Sequence, residues 1–336
     1  MSTQDGPISL RVVYDHGVHV QGTVLWFDPA KPRDFAALSN ARVPHSERQS
    51  KLLWSDRTAR IACLSHGKKV RGLVTPFHRR FDMGPFGIEL WPSGYLPGAS
   101  QFRLTHTSGF TVTVSGPFSW QPSRTAERLE VPRSDTLVLD ANYGHPSFRL
   151  PPRSEVYGRL VDWVRLTLRD DHVPIILAGT PGKAQDVIHL LGAETDTPIV
   201  VHRSIYEMNK VYRSIGVNLP RCRTFDGHPH FGRVLVWPAH LRGSPAIRNL
   251  KRARFLATSG IGINASATRR LRASVVLPWS ARADFPDLIA YVDEARPKRI
   301  VTVGRHATDL ATELQSRFAI PTEPLLPTAQ LELRLG

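Results

Sequence analysis

Short apolar runs, broken by glycine and proline turns, fill the first 150 residues of the chain. β-branched and aromatic residues dominate these runs, which is typical of strands. The predicted strands span 9–14, 18–20, 23–27, 35–38, 61–64, 70–74, 87–91, 102–105, 110–114 and 136–139. Beyond His45, Ser46 is a predicted N-cap, and Leu52, Leu53 and Trp54 give a short predicted helix its apolar side.

The pattern changes near Pro151, after which apolar positions at helical spacing alternate with short apolar runs. Val156, Leu160 and Val164 recur on one face of a predicted helix. Further predicted helices span 183–191, 205–215, 284–295 and 307–318, and further strands span 175–178, 199–201, 233–237, 274–277 and 299–303. This alternation predicts a parallel α/β unit.

Composition adds a strong positive charge to this picture. The 336 residues include 44 Lys and Arg against 29 Asp and Glu, a formal net charge of +15. Such a surplus attracts polyanions, of which nucleic acid is the first to consider. The alternative is that the arginine surplus only reflects codon composition. An apolar content of 41% is enough for a substantial core in one large or two ordinary domains.

The two cysteines, Cys63 and Cys222, are too few and too far apart for a disulfide framework, which favours a reducing compartment. No apolar run approaches the roughly 20 residues that span a bilayer, and the first residues are polar. These features predict a cytoplasmic protein without membrane partners.

A run of cations without acids lies between residues 242 and 272. Eight cations in one segment would neutralise several phosphates and make binding strongly salt-dependent. A solvated face is the alternative, although solvated charge runs usually include both signs. The eight are Arg242, Arg248, Lys251, Arg252, Arg254, Arg269, Arg270 and Arg272.

Two loops contain chemically notable residues. The run from Gly179 to Lys183 only superficially resembles a phosphate loop, because its glycines are too close and Ala184 replaces the hydroxyl residue. A tight strand-to-helix turn is the favoured interpretation. The run from Asp226 to His230 has metal-ligand residue types, but no further ligand is clustered nearby, which favours a solvated loop.

Several motifs together carry a resemblance to the metallo-β-lactamase fold with an inserted β-CASP domain, the group of Artemis- and Apollo-like nucleases. The closest likeness is to the bacterial exonucleases that are encoded beside a DNA ligase. The motifs lie in order along the chain: Asp28-Pro29 with Pro32, Trp91 to Ala99, Val114 to Ser119, Leu139 to Pro146, Gly182-Lys183-Ala184-Gln185, and Ser280 to Pro286.

The resemblance implies an α/β fold in which an αββα sandwich over 1–150 and 266–336 receives the β-CASP α/β domain at 151–265. It also implies a pair of metal ions in active relatives. At the positions of their ligands this chain has Asn40, Arg42, Pro44, Tyr95, Pro117, Arg282 and Val303, and it retains His45 and Asp140. His45 ends the stretch that starts at Leu38, and a structural histidine is the alternative interpretation of it.

These replacements predict a chain without the usual hydrolytic chemistry and without a cofactor. A two-metal hydrolase needs several imidazoles and carboxylates converging on its ions, and proline offers no side-chain ligand. The resemblance implies a pseudonuclease in a repair or RNA-processing assembly. Its expected partners are DNA or RNA, a helicase, an ATP-dependent ligase or an active nuclease.

Two alternatives remain open. One is an active exonuclease that uses a single Zn or Mn ion at His45, Asp140 and either His145 or His306. The other is a protein scaffold that does not bind nucleic acid. Within the first interpretation, Arg42 and Arg282 are hypothesised to bind phosphate where cations sit in active relatives. The rival explanation for these arginines is drift after the ligands were lost.

Overall fold

The computed structural model describes residues 10–44, 48–66, 72–228, 231–264 and 266–326. The chain divides into two compact units. The first unit comprises Met1–Trp120, Glu127–Phe148 and Arg282–Gly336, and the second comprises Gln121–Ala126 and Arg149–Ala281. A search of the described residues finds no helix long and apolar enough to cross a membrane.

The first unit contains two sheets. In the six-stranded sheet the order is β1-β2-β3-β4-β5-β6, with antiparallel pairing as far as β3 and parallel pairing from there. Its strands are β1 Val12–Tyr14, β2 Val18–Val20, β3 Trp26–Phe27, β4 Ala36–Ala37, β5 Leu52–Trp54 and β6 Leu73–Val74.

The seven-stranded sheet has the order β19-β18-β11-β10-β9-β8-β7. Strands β7 to β10 pair antiparallel, and β10, β11, β18 and β19 pair parallel. The strands are β7 Phe81–Met83, β8 Phe86–Pro92, β9 Ser100–His106, β10 Thr111–Val114, β11 Thr136–Asp140, β18 Arg299–Val303 and β19 Thr322–Leu325.

The two sheets share one apolar core, and helices cover the second face of the larger sheet. Phe27 and Leu53 from the smaller sheet cluster with Phe102 and Val138 from the larger one. On the other face of the larger sheet, Leu137 and neighbouring apolar residues pack against two helices. The helices of this unit are α1 Asp56–His66, α7 Phe285–Ala295 and α8 Ala307–Phe318.

The second unit is a parallel sheet with the order β14-β13-β15-β12-β16-β17. Its strands are β12 Val173–Ala178, β13 Ile199–Val201, β14 Cys222–Thr224, β15 Val234–Pro238, β16 Ala253–Ser259 and β17 Val275–Pro278. Its helices are α2 Arg153–Arg169, α3 Lys183–Glu194, α4 Arg203–Ser214, α5 Pro245–Arg248 and α6 Ala267–Leu271. The fully apolar β12 is buried along its whole length, as is usual when helices cover both faces of a parallel sheet.

The predicted α/β class is confirmed. The secondary structure predicted for the segment after residue 50 was wrong. Residues 52–54, predicted as the apolar side of a helix, form β5, and the predicted strand 61–64 lies in α1. Ser55 caps that helix, since its Oγ accepts a hydrogen bond from the Thr58 N–H at 3.1 Å. Ile61 lies on the buried face of this helix and Arg60 on its exposed face. The four consecutive apolar residues 61–64 led to the prediction of a strand.

The basic segment contains a central strand that the sequence did not predict. Strand β16 pairs with β12 on one side and with β17 on the other. The sequence did not predict this strand because arginines at its start interrupt the apolar pattern. The buried residues lie in its second half and include Leu256 and Ala257. Because β17 pairs with β16, residues 266–281 fall in the second compact unit, whereas the predicted domain boundary lies at residue 265. Strands β7, β14 and β19 and the short helices α5 and α6 also lie outside the predicted elements.

The turn between β12 and α3 is held together by its own side chains. Gly182 has a φ of 114°, in the left-handed region that favours glycine. Its N–H donates to Gln185 Oε1 at 2.9 Å, and Gln185 Nε2 donates to Asn209 Oδ1 at 3.0 Å. The Lys183 ammonium donates to the carbonyl oxygens of Thr258 at 2.7 Å and Trp279 at 3.3 Å. These contacts support the interpretation of a structural turn.

We expect Lys183→Met to lower the free energy of unfolding by about 1–3 kcal/mol, because two inward-facing carbonyl oxygens lose a charged donor. Urea denaturation measures this change. The matched control is Lys210→Met, since Lys210 lies on the exposed side of α4 beside Glu207, and we expect a change within about 0.5 kcal/mol. Unchanged stability of Lys183→Met together with a loss of phosphate binding would support the phosphate-loop interpretation instead.

Candidate functional site

Hydrogen bonds between polar side chains hold the loop that follows β4 against the end of β3. The Ser39 N–H donates to Asp28 Oδ1 at 2.7 Å, and the Ser39 hydroxyl donates to Asp28 Oδ2. Asn40, which is 4% exposed, donates from Nδ2 to Ser39 Oγ at 2.9 Å and accepts from the Arg42 N–H at 2.9 Å. The amide of Asn40 therefore holds the loop, although the resemblance places this residue at a ligand position.

Gly116 allows a second loop to approach this network. A Cβ atom there would lie 2.8 Å from Ser39 Cβ and 2.9 Å from Ser39 Oγ, and the residue has a φ of 53°. A larger residue would push the two loops apart and strain the turn. Pro117, the next residue, contributes no donor or ligand atom from its side chain.

Asp140 is the last residue of β11, and both of its carboxylate oxygens have interaction partners. Oδ2 lies 2.7 Å from Nη1 of Arg282, and Oδ1 accepts hydrogen bonds from the backbone N–H of Asn142, at 2.9 Å, and from its side-chain amide. The backbone holds both partners in place, because the N–H of Asp140 donates to Ser115 Oγ and the N–H of Ala283 donates to the Phe118 carbonyl. The Asp140 side chain is 12% exposed and that of Arg282 is 34% exposed.

Tyr95 brings the two arginines of the site together. Its ring is buried, and its hydroxyl oxygen lies 3.4 Å from Nη1 of Arg42. The guanidinium carbon of Arg282 lies 5.8 Å from the centre of the same ring. Arg42 is itself exposed. The structure thus brings Arg42, Tyr95, Asp140 and Arg282 into one cluster within the first unit.

The charges of this cluster perturb the titration of two groups. Burial alone would lower the pKa of Arg282, but the neighbouring Asp140 carboxylate and Tyr95 hold the pKa above its usual value. Burial raises the pKa of Asp28 to about 6, and the nearby Asp140 carboxylate adds to this effect. Hydrogen bonds from Ser39 and the charge of Arg282 offset only part of the rise.

The described residues at this site do not fit a pair of metal ions. Within the described ranges, no group of three or more His, Cys, Asp or Glu side chains could hold a metal. Asp140 is already paired with Arg282, and Val303 lies beside it in register on β18. The cavity between Phe118, Tyr143 and Arg282 has a volume of about 10 Å³, room for about one water molecule. Pro44 has no ligand atom, and His45 lies outside the described residues.

The two histidines of the one-metal alternative form a cluster of their own. The rings of His145 and His306 lie 5.9 Å apart, and Phe148 packs against His306. His145 Nδ1 lies 2.7 Å from Ser147 Oγ, and His306 Nδ1 lies 2.9 Å from Asp309 Oδ2. Each ring is thus oriented by a local partner.

Most cations of the basic segment are presented to solvent in the second unit. Arg254 is partly neutralised, because its Nη1 lies 2.9 Å from the Asp170 carboxylate. Arg242 lies over the Phe255 ring, with 3.4 Å from its guanidinium carbon to the ring centre, and donates to the Arg272 carbonyl at 2.9 Å. The exposed members are Arg248, Lys251, Arg252, Arg269, Arg270 and Arg272.

The loop that contains Asp226 and His228 is held by a local hydrogen bond. The His228 N–H donates to Asp226 Oδ1 at 3.1 Å, and the His228 side chain is 81% exposed. Pro229 and His230 lie outside the described residues. The described part of the loop supports the interpretation of a solvated loop.

Sequence reasoning missed the polar network beneath the site. The sequence places Asp28 only in an entry motif, but its carboxylate anchors the Ser39 loop and lies close enough to Asp140 for that charge to raise the pKa of Asp28. The one available signal was an acidic residue directly after a predicted strand. The pairing of Arg282 with Asp140 joins residues 142 positions apart, which no local pattern reveals.

Most of the chain is similar in sequence to known proteins. No protein-family model matches the chain. A probable DNA ligase of Opitutus terrae is 26% identical over 307 residues, which cover 91% of this chain and 30% of the ligase. The transcription termination factor FttA of Thermococcus kodakarensis is 22% identical over 312 residues, which cover 72% of this chain and 48% of that factor.

A solved structure confirms the fold at lower sequence similarity. A protein of unknown function from Enterococcus faecalis V583 has a TM-score of 0.59 and 12% identity, with coverage of 87% of this chain and 79% of that one. The chain spans less than half the length of the two curated relatives. Together these similarities support the metallo-β-lactamase/β-CASP superfamily and its mixed α/β fold.

We expect Asp28→Asn to flatten the pH dependence of stability between about pH 4 and pH 6. The folded pKa of Asp28, about 6, lies above its unfolded value, so the folded state binds the extra proton and stability falls as pH rises through this window. The variant removes this contribution, and the difference in unfolding free energy between pH 4.5 and 7.5 should shrink by about 1–2 kcal/mol.

Urea denaturation at the two pH values measures the effect. Asp82→Asn is the control, because that side chain is 74% exposed and should leave the pH difference unchanged. An equal pH difference in wild type and Asp28→Asn would contradict the burial of an ionisable carboxyl at this site.

Proposed function

We propose that the chain is a catalytically inactive β-CASP-type protein that binds nucleic acid within a repair or RNA-processing assembly. The observation that carries the first half of this proposal is the ion pair between Asp140 and Arg282. A carboxylate that would bind a metal ion in a hydrolase here has a fixed organic cation as its partner.

The chemistry of hydrolysis explains why this substitution matters. A metal ion generates hydroxide at neutral pH and stabilises the leaving oxygen. A guanidinium group stays protonated and has no acceptor, so it can orient a phosphate but cannot activate water as a base. Arg42 and Arg282 therefore provide groups that can bind a phosphate but cannot activate water as a base.

Nucleic-acid binding is supported by two independent features. The relatives include a probable DNA ligase and a transcription termination factor, names that both refer to work on nucleic acid. The second unit exposes six of the eight cations of the basic segment. Phosphate neutralisation by such side chains releases counterions and drives sequence-independent binding.

The arginines of the first unit add a phosphate-binding hypothesis. Arg282 is held by Asp140, while Arg42 is exposed and meets the Tyr95 hydroxyl only at 3.4 Å. A phosphate oxygen is a stronger acceptor than a phenol, so Arg42 gains a charge-assisted hydrogen bond when phosphate binds. Drift remains the rival explanation, in which Arg42 has no ligand.

Purified protein is expected to contain far less than one equivalent of Zn or Mn and to leave single-stranded and duplex DNA and RNA intact when either ion is added. Elemental analysis and a nuclease assay measure both properties. The control is His45→Ala, which should match wild type in both assays. Stoichiometric metal together with cleavage that His45→Ala abolishes would establish the one-metal exonuclease instead.

Binding of single-stranded DNA and RNA is expected to weaken steeply with salt, because phosphate contacts release counterions. The double variant Arg269→Glu with Arg270→Glu should flatten the slope of log K against log salt by about 1 to 2 and weaken binding at low salt. Fluorescence anisotropy across a salt series measures the slope.

The matched control makes the same change of charge elsewhere, through Arg159→Glu on α2 with Arg203→Glu on α4, and should change the slope little. The same titration with Arg42→Met separates phosphate binding from drift, since only binding predicts a weaker complex. Negligible binding by wild type at physiological salt would favour the protein scaffold.

A further inference from the structure

In the second unit, the first residues of all six strands lie at one end of the sheet. Its six strands are parallel, so their amino-terminal ends lie together. The register aligns Ile199 with both Cys222 and Val234, and it aligns Val173 with Ala253. Residues that immediately precede these positions are therefore neighbours along a line across the sheet.

Arginines occupy four places along this line. Arg221 precedes β14, Arg233 precedes β15, Arg252 precedes β16, and Arg272 lies three residues before β17. Backbone hydrogen bonds fix the alignment, since the Val234 N–H donates to the Pro198 carbonyl and the Val173 N–H donates to the Arg252 carbonyl. Six strands at about 4.8 Å spacing give the line a length of about 24 Å.

The charge along the line is predominantly positive. Arg221, Arg252 and Arg272 are exposed, and Arg233 is half-buried. Arg252 and Arg272 have φ values of 56° and 50°, which place both in left-handed turns. The carboxylates at this edge include Asp170, which is paired with Arg254, and the exposed Asp171 and Asp196.

An exposed aromatic ring stands among these cations. Phe231 is 56% exposed and lies two residues before Arg233. Gly232 between them has no atom within 4 Å of where a side chain would begin, so the turn is open to solvent. Aromatic rings beside a positive track are the arrangement with which proteins bind single strands, because every base has a face that can stack.

We propose that Arg221, Phe231, Arg233, Arg252 and Arg272, here called the N-edge row, bind single-stranded nucleic acid with a base stacked on Phe231. The inference rests on the proposed nucleic-acid binding, but it adds residues outside the basic segment and names the form of the ligand. A length of about 24 Å suits a segment of about four nucleotides. A duplex keeps its bases stacked on one another, so it can use the arginines but not the ring.

The test compares a short single-stranded oligonucleotide with the same sequence as a duplex, by fluorescence anisotropy with the full chain. Phe231→Ala should weaken single-strand binding about tenfold and leave duplex binding unchanged. Phe231→Trp should retain single-strand binding. Leu166→Ala is the control, because Leu166 is an apolar side chain of similar exposure, 49%, on α2.

A second comparison tests the arginines. Arg221→Glu with Arg233→Glu should flatten the salt slope, whereas Arg203→Glu, at the opposite end of β13, should not. Thermal unfolding of each variant checks that the fold is retained.

The outcomes separate the inference from the proposal beneath it. Failure of the wild type to bind any oligonucleotide overturns both. Wild-type binding that Phe231→Ala and the Arg221 and Arg233 variants leave unchanged overturns the N-edge row and leaves the basic segment as the binding surface. Equal affinity for the single strand and the duplex also overturns the inference, because a base stacked on Phe231 would favour the single strand.

Discussion

The ion pair between Asp140 and Arg282 is the interaction on which the first unit's site depends. It joins the end of β11 to Arg282, three residues before the start of α7, and it keeps a nearly buried carboxylate from remaining uncompensated. An unpaired charge in such a place costs several kcal/mol, so the pair is best regarded as a condition for this arrangement. Asn142 occupies the other oxygen, and Tyr95 places Arg42 beside the same cluster.

Neighbouring groups are consistent with a site built around a fixed cation. Asp28 lies near Asp140 and is held by Ser39, and burial raises its pKa to about 6, with a smaller contribution from the Asp140 carboxylate. A divalent ion bound to Asp140 would have to displace Arg282 from that carboxylate. The loop that contains Asn40 is held by hydrogen bonds from Ser39 to Asp28, and Gly116 packs closely against Ser39.

Local patterns predicted much of the fold, because β12 is a continuous apolar run and α8 has apolar residues at helical spacing. The segment around Trp54 was misassigned because apolar runs of three or four residues fit either structure. Strand β16 was missed because flanking arginines obscured its buried half. In the site, residue types at the motif positions could be read from the sequence, but the contact between Asp140 and Arg282 could not, since it depends on the folded chain.

The two units differ in the chemical groups that they present. The first presents a small cluster of arginines around a paired carboxylate, and the second presents a broad cationic surface with an exposed ring. A double-mutant cycle of Arg282→Met and Asp140→Asn, measured by urea denaturation in EDTA and again in excess Zn²⁺ or Mn²⁺, tests the central claim most directly. The expected coupling energy between the two side chains is about 1–3 kcal/mol, and added metal should not change it. Stabilisation of the wild type by metal that is lost in Asp140→Asn, or a coupling near zero, would contradict the central claim.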